Sequence, residues 1–205
     1  PTESEATETA APTAAPSHVD MDSNAGVDAL RALGGPDQLD FDAEALLLLE
    51  LNSETMVYAK NIDTRREPAS LTKVMTCLLA LENGNLSDVV TVSASALDDL
   101  DADSSVAGLQ VGEQMTLDDM LKAICISSAN DAAVAVAEYV GGSETAFAEM
   151  MNVRAYELGM TNTHFVNACG LDEAGHLSTA RDVALMSREM LLHHTEVRDL
   201  SLIHI

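Results

Sequence analysis

Ser70 and Lys73 are the two residues whose types and spacing could do chemistry together. Side chains three positions apart lie on one face of a helix, so the serine hydroxyl and the lysine amine can come within hydrogen-bond reach. The N-terminus of a helix and burial both disfavour an ammonium group, so each would lower the pKa of Lys73. A neutral amine can take the serine proton, and a backbone N–H at the helix start can stabilise an oxyanion. The pair therefore predicts a serine nucleophile, Ser70, with Lys73 as its general base.

A second group, Ser128-Ala129-Asn130, falls on the turn between two predicted helices. A hydroxyl and an amide placed there could face the first pair across a cleft. Ser128 could then relay a proton to a leaving amine, and Asn130 could hydrogen-bond Lys73 or a substrate amide. Simpler interpretations exist for both groups. An isolated Ser-x-x-Lys motif is usually a capping serine with an exposed lysine, and Ser128 could be the N-cap of the helix that opens at Ala129.

The elements that must position these residues are strands followed by a block of helices. The first pair sits at the start of a helix over residues 71–82, with Pro68 at or just before its first turn and Asn83-Gly84 as its stop. The first two strands cannot form a stable sheet alone, so further strands are needed to complete it. The pattern predicts strands over 45–51, 55–59 and 89–92, a loop over 93–110, and helices over 116–126, 129–139, 143–158 and 179–193.

Composition excludes several classes of function. Among 205 residues, 34 are acidic and 10 are basic, and the resulting formal charge of −24 repels nucleic acid and anionic lipid surfaces. Aromatic residues make up 3%, too few for base-stacking platforms, and no apolar run approaches the length of a membrane span. Residues 1–40 lack hydrophobic periodicity and predict a disordered acidic tail or tether, followed by one folded domain over 41–205. The chain opens without Met or a signal-peptide pattern, which is typical of a mature or trimmed product.

Histidine, cysteine and aspartate residues do not form a recognisable metal motif. The cysteines are expected to be small buried hydrophobic residues, and a disulfide between two of them stays open. The later histidines lie on loops and at a helix end, and the aspartate run lacks the glycine and closing glutamate of a calcium loop. We therefore predict no metal and no cofactor, and a structural ion pair for Arg181-Asp182. The residues considered as ligands are Cys77, Cys125, Cys169, His164, His176, His193, His194, Asp98, Asp99, Asp101 and Asp103.

Longer blocks around both groups resemble one enzyme family. The resemblance runs from about residue 43 to residue 200 and is to the D-alanyl-D-alanine carboxypeptidases. These are the low-molecular-weight penicillin-binding proteins of the serine β-lactamase-like superfamily. Several long blocks in the same order are far more specific than either short motif. The blocks are Pro68–Thr76, Gly108–Glu113, Ser127–Ala133, Leu158–Phe165 and Gly175–Asp182.

The resemblance implies both a fold and a reaction. The fold would be an α/β (α+β) domain of the β-lactamase/transpeptidase-like type, a helical cluster packed on an antiparallel sheet. The reaction would remove the terminal D-alanine from peptidoglycan stem peptides ending in D-Ala-D-Ala through an acyl-enzyme at Ser70, which β-lactams would also acylate. Lys73 would be the base for acylation, with Ser128 and Asn130 completing the proton network. The protein would be exported and act at the cell wall or the periplasmic face of the bacterial membrane.

Two departures from the family pattern matter. Ala129 stands where the family often has glycine, which is a minor change. The third family motif, Lys-Thr-Gly on a later strand, does not occur, since no lysine follows Lys122. That strand would supply a second oxyanion N–H and the cation that binds the substrate carboxylate. We therefore expect a catalytic domain cut before its C-terminal strands and inactive by itself, with any membrane contact made by parts outside these residues.

Two alternative functions stay open from the sequence. A serine β-lactamase of the same superfamily would need a general base for fast deacylation. Glu173 lies in about the right region for that role, although its Leu171-Asp172-Glu173 setting matches the carboxypeptidases better. A non-catalytic penicillin or cell-wall sensor would keep the acylating Ser70 and would signal instead of turning over. The carboxypeptidase is the main prediction.

Overall fold

The structure is a computed structural model that describes residues 42–51, 55–98, 100 and 104–194. The predicted tail over residues 1–40, the turn at 52–54, most of the aspartate run and the last residues of the chain lie outside this part. The described residues divide into two compact units. One holds residues 42, 48–51 and 55–59, and the other holds residues 43–47 and those described from residue 60 onward.

Two strands near the start of the described chain pair with each other. They are Leu46–Glu50 (β1) and Thr55–Lys60 (β2), close to the predicted bounds of 45–51 and 55–59. The sequence pattern of β1 predicts a strand buried on both faces. In the structure Leu48 is 50% exposed and Glu50 is exposed, so this expectation is wrong for one face of the strand.

The second unit is mainly helical. Thr116 and Thr179 cap two of its helices as predicted, each accepting a hydrogen bond from the backbone N–H three residues on. Within the part of the chain that is described, no helix is both long and apolar enough to cross a bilayer. The helices are Thr72–Asn83 (α1), Ser95–Asp98 (α2), Leu117–Ser127 (α3), Asn130–Gly141 (α4), Glu144–Glu157 (α5) and Ala180–His193 (α6).

Two short elements differ from the sequence prediction. The helix α2 lies inside the stretch predicted as a loop over 93–110. Gln114–Thr116 (β4) is a strand that the sequence did not predict, and it pairs antiparallel with Val89–Thr91 (β3), placing Val90 opposite Met115. Elements of three or four residues are too short to show a period, so their partners define them and the local sequence does not.

The core of the second unit is built around α4. This helix is apolar on nearly every face and carries small side chains, so α1, α2, α3, α5 and β3 all pack closely against it. Ala132, Ala133 and Val136 are fully buried there. The packing fixes the N-terminal end of α4, where Asn130 lies, relative to the start of α1. The largest buried side chains around it include Met75, Leu78, Leu117, Met120, Leu121, Phe147, Met151, Phe165 and Met186.

Candidate active site

The backbone takes an unusual path into Ser70. Residues Ala69–Leu71 form a 3-10 turn that leads into α1, and the N–H of Leu71 donates to the carbonyl of Pro68 at 3.1 Å. Ala69 has a φ of 47°, in the left-handed region that L residues rarely adopt. Gly170, on the loop before α6, packs directly against this turn, and a β-carbon there would lie 1.9 Å from the Ala69 oxygen. Glycine alone allows the loop to approach so closely.

The Ser70 hydroxyl and the Lys73 amine meet as the spacing predicts. Lys73 Nζ lies 3.2 Å from Ser70 Oγ and donates a second hydrogen bond to the backbone carbonyl of Cys169 at 2.7 Å. Only 5% of Lys73 is exposed. Burial lowers the pKa of Lys73 from its ordinary value, although the neighbouring thiols of Cys169 and Cys77 act in the opposite direction. A buried amine of lowered pKa beside a hydroxyl is suited to take its proton.

Ser128 lies beside Ser70 and is the C-cap residue of α3, not the N-cap of α4. Its hydroxyl donates to Ser70 Oγ at 3.0 Å. Ser128 follows the last residue of α3 in the left-handed conformation, with a φ of 54°, and this turn aims its side chain back at α1. The N-cap of α4 is Ala129, which makes no side-chain capping bond. The capping interpretation of Ser128 is therefore wrong, and the second group does face the first pair.

Asn130 is the first residue of α4 and lines the same polar cleft as Ser70. Its backbone N–H donates to the carbonyl of Ser105 at 2.8 Å, which ties the helix to the loop before β4. Among the described residues, no hydrogen bond joins the Asn130 amide to Lys73. Of the two roles that the sequence suggested, the hydrogen bond from Asn130 to Lys73 is therefore not seen among these residues.

Asp131 anchors the loop over residues 104–109, a role that the sequence did not predict. Its carboxylate is buried and accepts hydrogen bonds from the backbone N–H groups of Ala107, Gly108 and Leu109 at 2.9, 2.9 and 3.0 Å. These donors lie 22 to 24 positions earlier in the chain. No local spacing in the sequence relates an aspartate to such distant amides. The one feature that could have indicated this role is an acidic residue directly before an apolar helical segment.

A second anchored loop closes the other side of the site. Asn167 Oδ1 accepts from the backbone N–H of Gly170 at 2.7 Å, which forms a tight turn. Thr76 on α1 donates its hydroxyl proton to the carbonyl of Ala168 at 2.6 Å. Together these bonds hold the loop against α1 and fix the carbonyl that accepts from the lysine amine. An asparagine followed three residues later by glycine is the sequence signal for this turn, and it gives no indication of what the turn packs against.

His176 supports the start of α1 from the same loop region. Its Nδ1 accepts from the backbone N–H of Val166 at 3.0 Å, so the ring proton is on Nε2, which lies 2.8 Å from the hydroxyl of Thr72. Thr72 directly follows the 3-10 turn that presents Ser70. The ring is almost fully buried, and this burial lowers the pKa of His176. His176 therefore has a structural role at the start of α1.

Ser70 lies between two clefts of different character. The polar cleft has a volume of about 270 Å³ and includes the buried hydroxyl of Ser104, which has no hydrogen-bond partner among the described residues. The apolar pocket has a volume of about 350 Å³ and reaches between α1, α3 and α6. Residues lining the polar cleft include Ser105, Asn130, Cys169, Gly170 and Leu171, and those lining the apolar pocket include Lys73, Val74, Cys77, Cys125, Ser128 and Met190.

The other residues singled out from the sequence have structural surroundings. In the described part of the chain, no group of three His, Cys, Asp or Glu side chains could hold a metal ion. All three cysteines are free thiols. Arg181 forms an ion pair with Asp63, with Nε 2.6 Å from Oδ1, while the Asp182 carboxylate accepts from the backbone N–H of Asn162 and the hydroxyl of Thr163. The ion pair that the structure shows for Arg181 is thus with Asp63, whereas the sequence predicted one with Asp182.

Comparison with known proteins places these features in a family. The model of the D-alanyl-D-alanine carboxypeptidase family matches residues 33–203. D-alanyl-D-alanine carboxypeptidase DacF of Bacillus subtilis is 42% identical over 77% of this chain and 41% of that protein. D-alanyl-D-alanine carboxypeptidase DacC of Escherichia coli is 39% identical over 73% of this chain and 40% of that protein. The chain thus spans about two fifths of the length of these curated relatives.

Solved structures share the architecture. D-alanyl-D-alanine carboxypeptidase DacD from Francisella tularensis has a TM-score of 0.75 at 33% identity, covering 80% of this chain and 40% of that one. A mutant of the Streptomyces K15 DD-transpeptidase has a TM-score of 0.73 at 31% identity, covering 80% and 66%. These likenesses confirm the expected transpeptidase-like α+β fold. With a family match over most of its residues and the same fold as solved family members, the chain belongs to the D-alanyl-D-alanine carboxypeptidase family.

Proposed function

We propose that this chain carries the acylation site of a serine-type D-Ala-D-Ala carboxypeptidase that trims the terminal D-alanine from peptidoglycan stem peptides. One observation supports the proposal above all. Ser70 Oγ lies 3.2 Å from Lys73 Nζ and 3.0 Å from Ser128 Oγ. The proposed base and the proposed proton relay thus both contact the hydroxyl oxygen that would attack the substrate. Membership of the family supports the substrate class.

Acylation would begin with proton transfer from Ser70 to the neutral amine of Lys73. The serine oxygen would then attack the carbonyl carbon between the two D-alanines, and the backbone N–H at the helix start would stabilise the oxyanion. Ser128 would pass a proton to the leaving D-alanine amine, which completes the break of the peptide bond. Water would later hydrolyse the acyl-enzyme. The amide of Asn130 would hold the peptide in the polar cleft.

The same site would accept β-lactams, because these compounds imitate the D-Ala-D-Ala terminus and would acylate Ser70. The substrate is part of the cell wall, so we place the protein's action outside the cytoplasm, at the wall or on the periplasmic face of the membrane. The formal charge of −24 supports a partner other than nucleic acid. No cofactor or metal is part of the proposed reaction.

The lining of the two clefts favours a carboxypeptidase over a β-lactamase. A β-lactamase needs a carboxylate close to the acyl-enzyme for fast deacylation. No aspartate or glutamate is among the described residues that line either cleft. Glu173 is exposed, and its backbone carbonyl accepts from the N–H of His176 at 2.9 Å to close a turn. We therefore expect penicillin to remain bound as a slowly released acyl-enzyme.

Acylation and D-alanine release together test the proposal. The protein in its natural full length is incubated with penicillin, and the adduct is located by intact-mass and peptide-mass measurement. We expect one adduct, on Ser70. Release of D-alanine is measured with a peptide ending in D-Ala-D-Ala and with the same peptide ending in D-Ala-L-Ala, and we expect release from the first only.

Matched variants identify the nucleophile. Ser70→Ala should take no penicillin, whereas Ser87→Ala, which removes an exposed serine hydroxyl that lines neither cleft, should be acylated normally. An adduct on the Ser70→Ala protein would overturn the assignment. Acylation without any D-alanine release would instead support the sensor, and rapid turnover of penicillin would support the β-lactamase.

A further inference from the structure

Two thiols meet next to the candidate active site. Cys77 on α1 and Cys125 on α3 have their sulfur atoms 3.9 Å apart. Cys77 lies four residues after Lys73, and Cys125 lies three residues before Ser128, so each thiol shares a helix face with one of these residues. The pair therefore joins the two helices whose ends present the base and the relay to Ser70.

The apolar pocket gives small molecules a route to this pair. Both thiols line the pocket of about 350 Å³ that also includes Ser70 and Lys73. Cys77 is only 2% exposed, whereas Cys125 is partly exposed, so a reagent entering the pocket meets Cys125 first. Cys169 differs, because it is buried and lies on the anchored loop with its sulfur 3.8 Å from Asn167 Oδ1.

The two thiols also differ in acidity, and the more acidic one is Cys125, the thiol that a reagent in the pocket reaches first. The hydrogen bond between the two sulfur atoms lowers the pKa of Cys125 and raises that of Cys77, and burial raises the pKa of Cys77 further. The more accessible thiol is therefore the better nucleophile, and the buried thiol is positioned to resolve a mixed disulfide.

We propose that Cys77 and Cys125 form a thiol–disulfide exchange site that takes a small disulfide from the apolar pocket and closes to an intramolecular bond. The Cys125 thiolate attacks one sulfur of the disulfide R–S–S–R, and the first RS⁻ leaves with the proton that Cys125 has lost. Cys77 then attacks the Cys125 sulfur of the mixed disulfide, and the second RS⁻ leaves with the Cys77 proton. Two protein thiols are oxidised, and one small disulfide is reduced to two thiols.

The formal charge of the chain favours a neutral disulfide over an anionic one as the reagent. At −24, the protein repels anionic disulfides, and the pocket walls between the two helices are apolar. A neutral small disulfide therefore fits best. Hydroxyethyl disulfide is the matched probe, and oxidised glutathione, which is anionic, should react more slowly.

Oxidation would reach the active site through the helices, and this step rests on the proposed function. A disulfide needs its sulfur atoms at about 2.05 Å, so closing the 3.9 Å separation moves the Cys77 and Cys125 side chains together at the contact between α1 and α3, each within four residues of Lys73 or Ser128. The Lys73 and Ser128 contacts to Ser70 are at ordinary hydrogen-bond lengths and leave little room for such a shift. Because misplacement by about 1 Å can cost up to about a hundredfold in rate, we expect acylation by penicillin to slow at least tenfold on oxidation.

Mass measurement tests the thiol site without reference to catalysis. The full-length protein is treated with hydroxyethyl disulfide, and peptide-mass measurement follows the loss of two hydrogens and of the free thiols of Cys77 and Cys125. Cys169→Ala should still form the bond. Cys125→Ala, and independently Cys77→Ala, should retain their remaining thiols or carry only a mixed adduct. A Cys125→Ala protein that still closes an intramolecular disulfide, or a wild-type protein that takes only stable mixed adducts, overturns the proposal.

Acylation before and after oxidation tests the coupling. Fluorescent penicillin should label the oxidised protein at least tenfold more slowly than the reduced protein, and dithiothreitol should restore the rate. The Cys125→Ala protein should be insensitive to the oxidant. Equal rates in the oxidised and reduced states would overturn the coupling. If the reduced protein takes no penicillin while the disulfide forms, the proposed function fails and the exchange site stands.

Discussion

A β-carbon on Gly170 would lie 1.9 Å from the carbonyl oxygen of Ala69, the residue before Ser70. Two atoms that are not bonded to each other cannot lie 1.9 Å apart, so the loop with Gly170 or the turn with Ala69 must move when residue 170 carries a side chain. The two segments come from opposite ends of the described second unit, and the position of Ser70 depends on their contact. This relationship leads to the first prediction.

Gly170→Ala should destabilise the protein and impair acylation together. Overpacking costs about 1–3 kcal/mol, and a φ of +88° adds about 1–2 kcal/mol for an L residue. Urea unfolding and the rate of penicillin acylation provide the measurements. Gly142→Ala is the matched control, because Gly142 has a φ of +77° but nothing within 4 Å of its β-carbon position. Equal losses in the two variants would show that the close contact with Ala69 has no cost of its own.

The second prediction concerns the protonation of Lys73. Burial lowers its pKa from the ordinary value of 10.5, and acylation needs the neutral amine. The acylation rate should therefore rise with pH and level off above the pKa of Lys73, at a lower pH than an exposed lysine would give. Lys73→Arg keeps a positive charge but cannot release it, so the rate should fall by about 10²–10⁴.

Lys122→Arg is the control for this substitution, since Lys122 is half exposed and pairs with Asp118 on the surface of α3. Its acylation rate and pH profile should match those of the wild type. Stopped-flow labelling between about pH 6 and about pH 10 gives both profiles. A profile that stays flat over this range would argue against Lys73 as the base.

The third prediction concerns the loop that Asp131 anchors. Asp131→Asn exchanges a carboxylate oxygen for an NH₂ group that faces backbone N–H donors. Each oxygen accepts two backbone hydrogen bonds, so two of the four are lost. The free energy of unfolding should fall by about 2–3 kcal/mol. Hydrogen exchange should show faster exchange at Ala107 and Leu109, with little change in α1.

Asp118→Asn serves as the comparison for Asp131→Asn. Asp118 lies partly exposed in the first turn of α3, so this variant should lose less than about 1 kcal/mol. If the two variants are equally stable, the buried carboxylate does not hold the loop. If Asp131→Asn is destabilised but the amides of residues 107–109 keep their protection, the loop has another anchor.

The fourth prediction follows from the buried ring of His176. Burial lowers its folded-state pKa below the ordinary 6.5, so the unfolded chain binds a proton more readily than the folded one. The stabilisation is therefore fully present above about pH 6.5 and is lost as the pH falls through the interval between the two pKa values. Within that interval the free energy of unfolding should drop by up to about 1.4 kcal/mol per pH unit.

Urea unfolding at a series of pH values checks this dependence. His176→Gln should be less stable at neutral pH but should lack this part of the slope. His193→Gln, at an exposed position near the end of α6, should keep it. A wild-type slope that persists in His176→Gln would assign the titration to another group.

The sequence predicted the helices well, because hydrophobic period and capping residues are local signals. The helix over 71–82 is found at Thr72–Asn83, and those over 116–126 and 179–193 are found at Leu117–Ser127 and Ala180–His193. The Ser70–Lys73 contact was predicted for the same reason, since residues three positions apart lie on one face of a helical turn. The predicted pairing of Lys73 with Ser70 at the start of a helix needed no knowledge of the rest of the chain.

The contacts that the sequence did not reveal are those between distant segments. Ser128 looked like a helix cap, and its left-handed backbone, which turns the hydroxyl towards Ser70, has no marker in a serine residue. The approach of Gly170 to Ala69 and the amides held by Asp131 likewise join loops across the fold. Local patterns specify where a turn occurs, but packing of the helices decides which turns meet.

The groups around Ser70 come from widely separated parts of the chain. Ser128 is 58 positions away from Ser70, and the Cys169 carbonyl is 96 positions away from Lys73. Contacts of such separation form only after the intervening chain has been ordered, so local helix formation at α1 cannot produce a reactive serine. The fraction of Ser70 that penicillin labels would then measure the fraction of natively folded molecules. In a refolding experiment, this labelling should appear later than the circular-dichroism signal of the helices, because it requires complete tertiary structure.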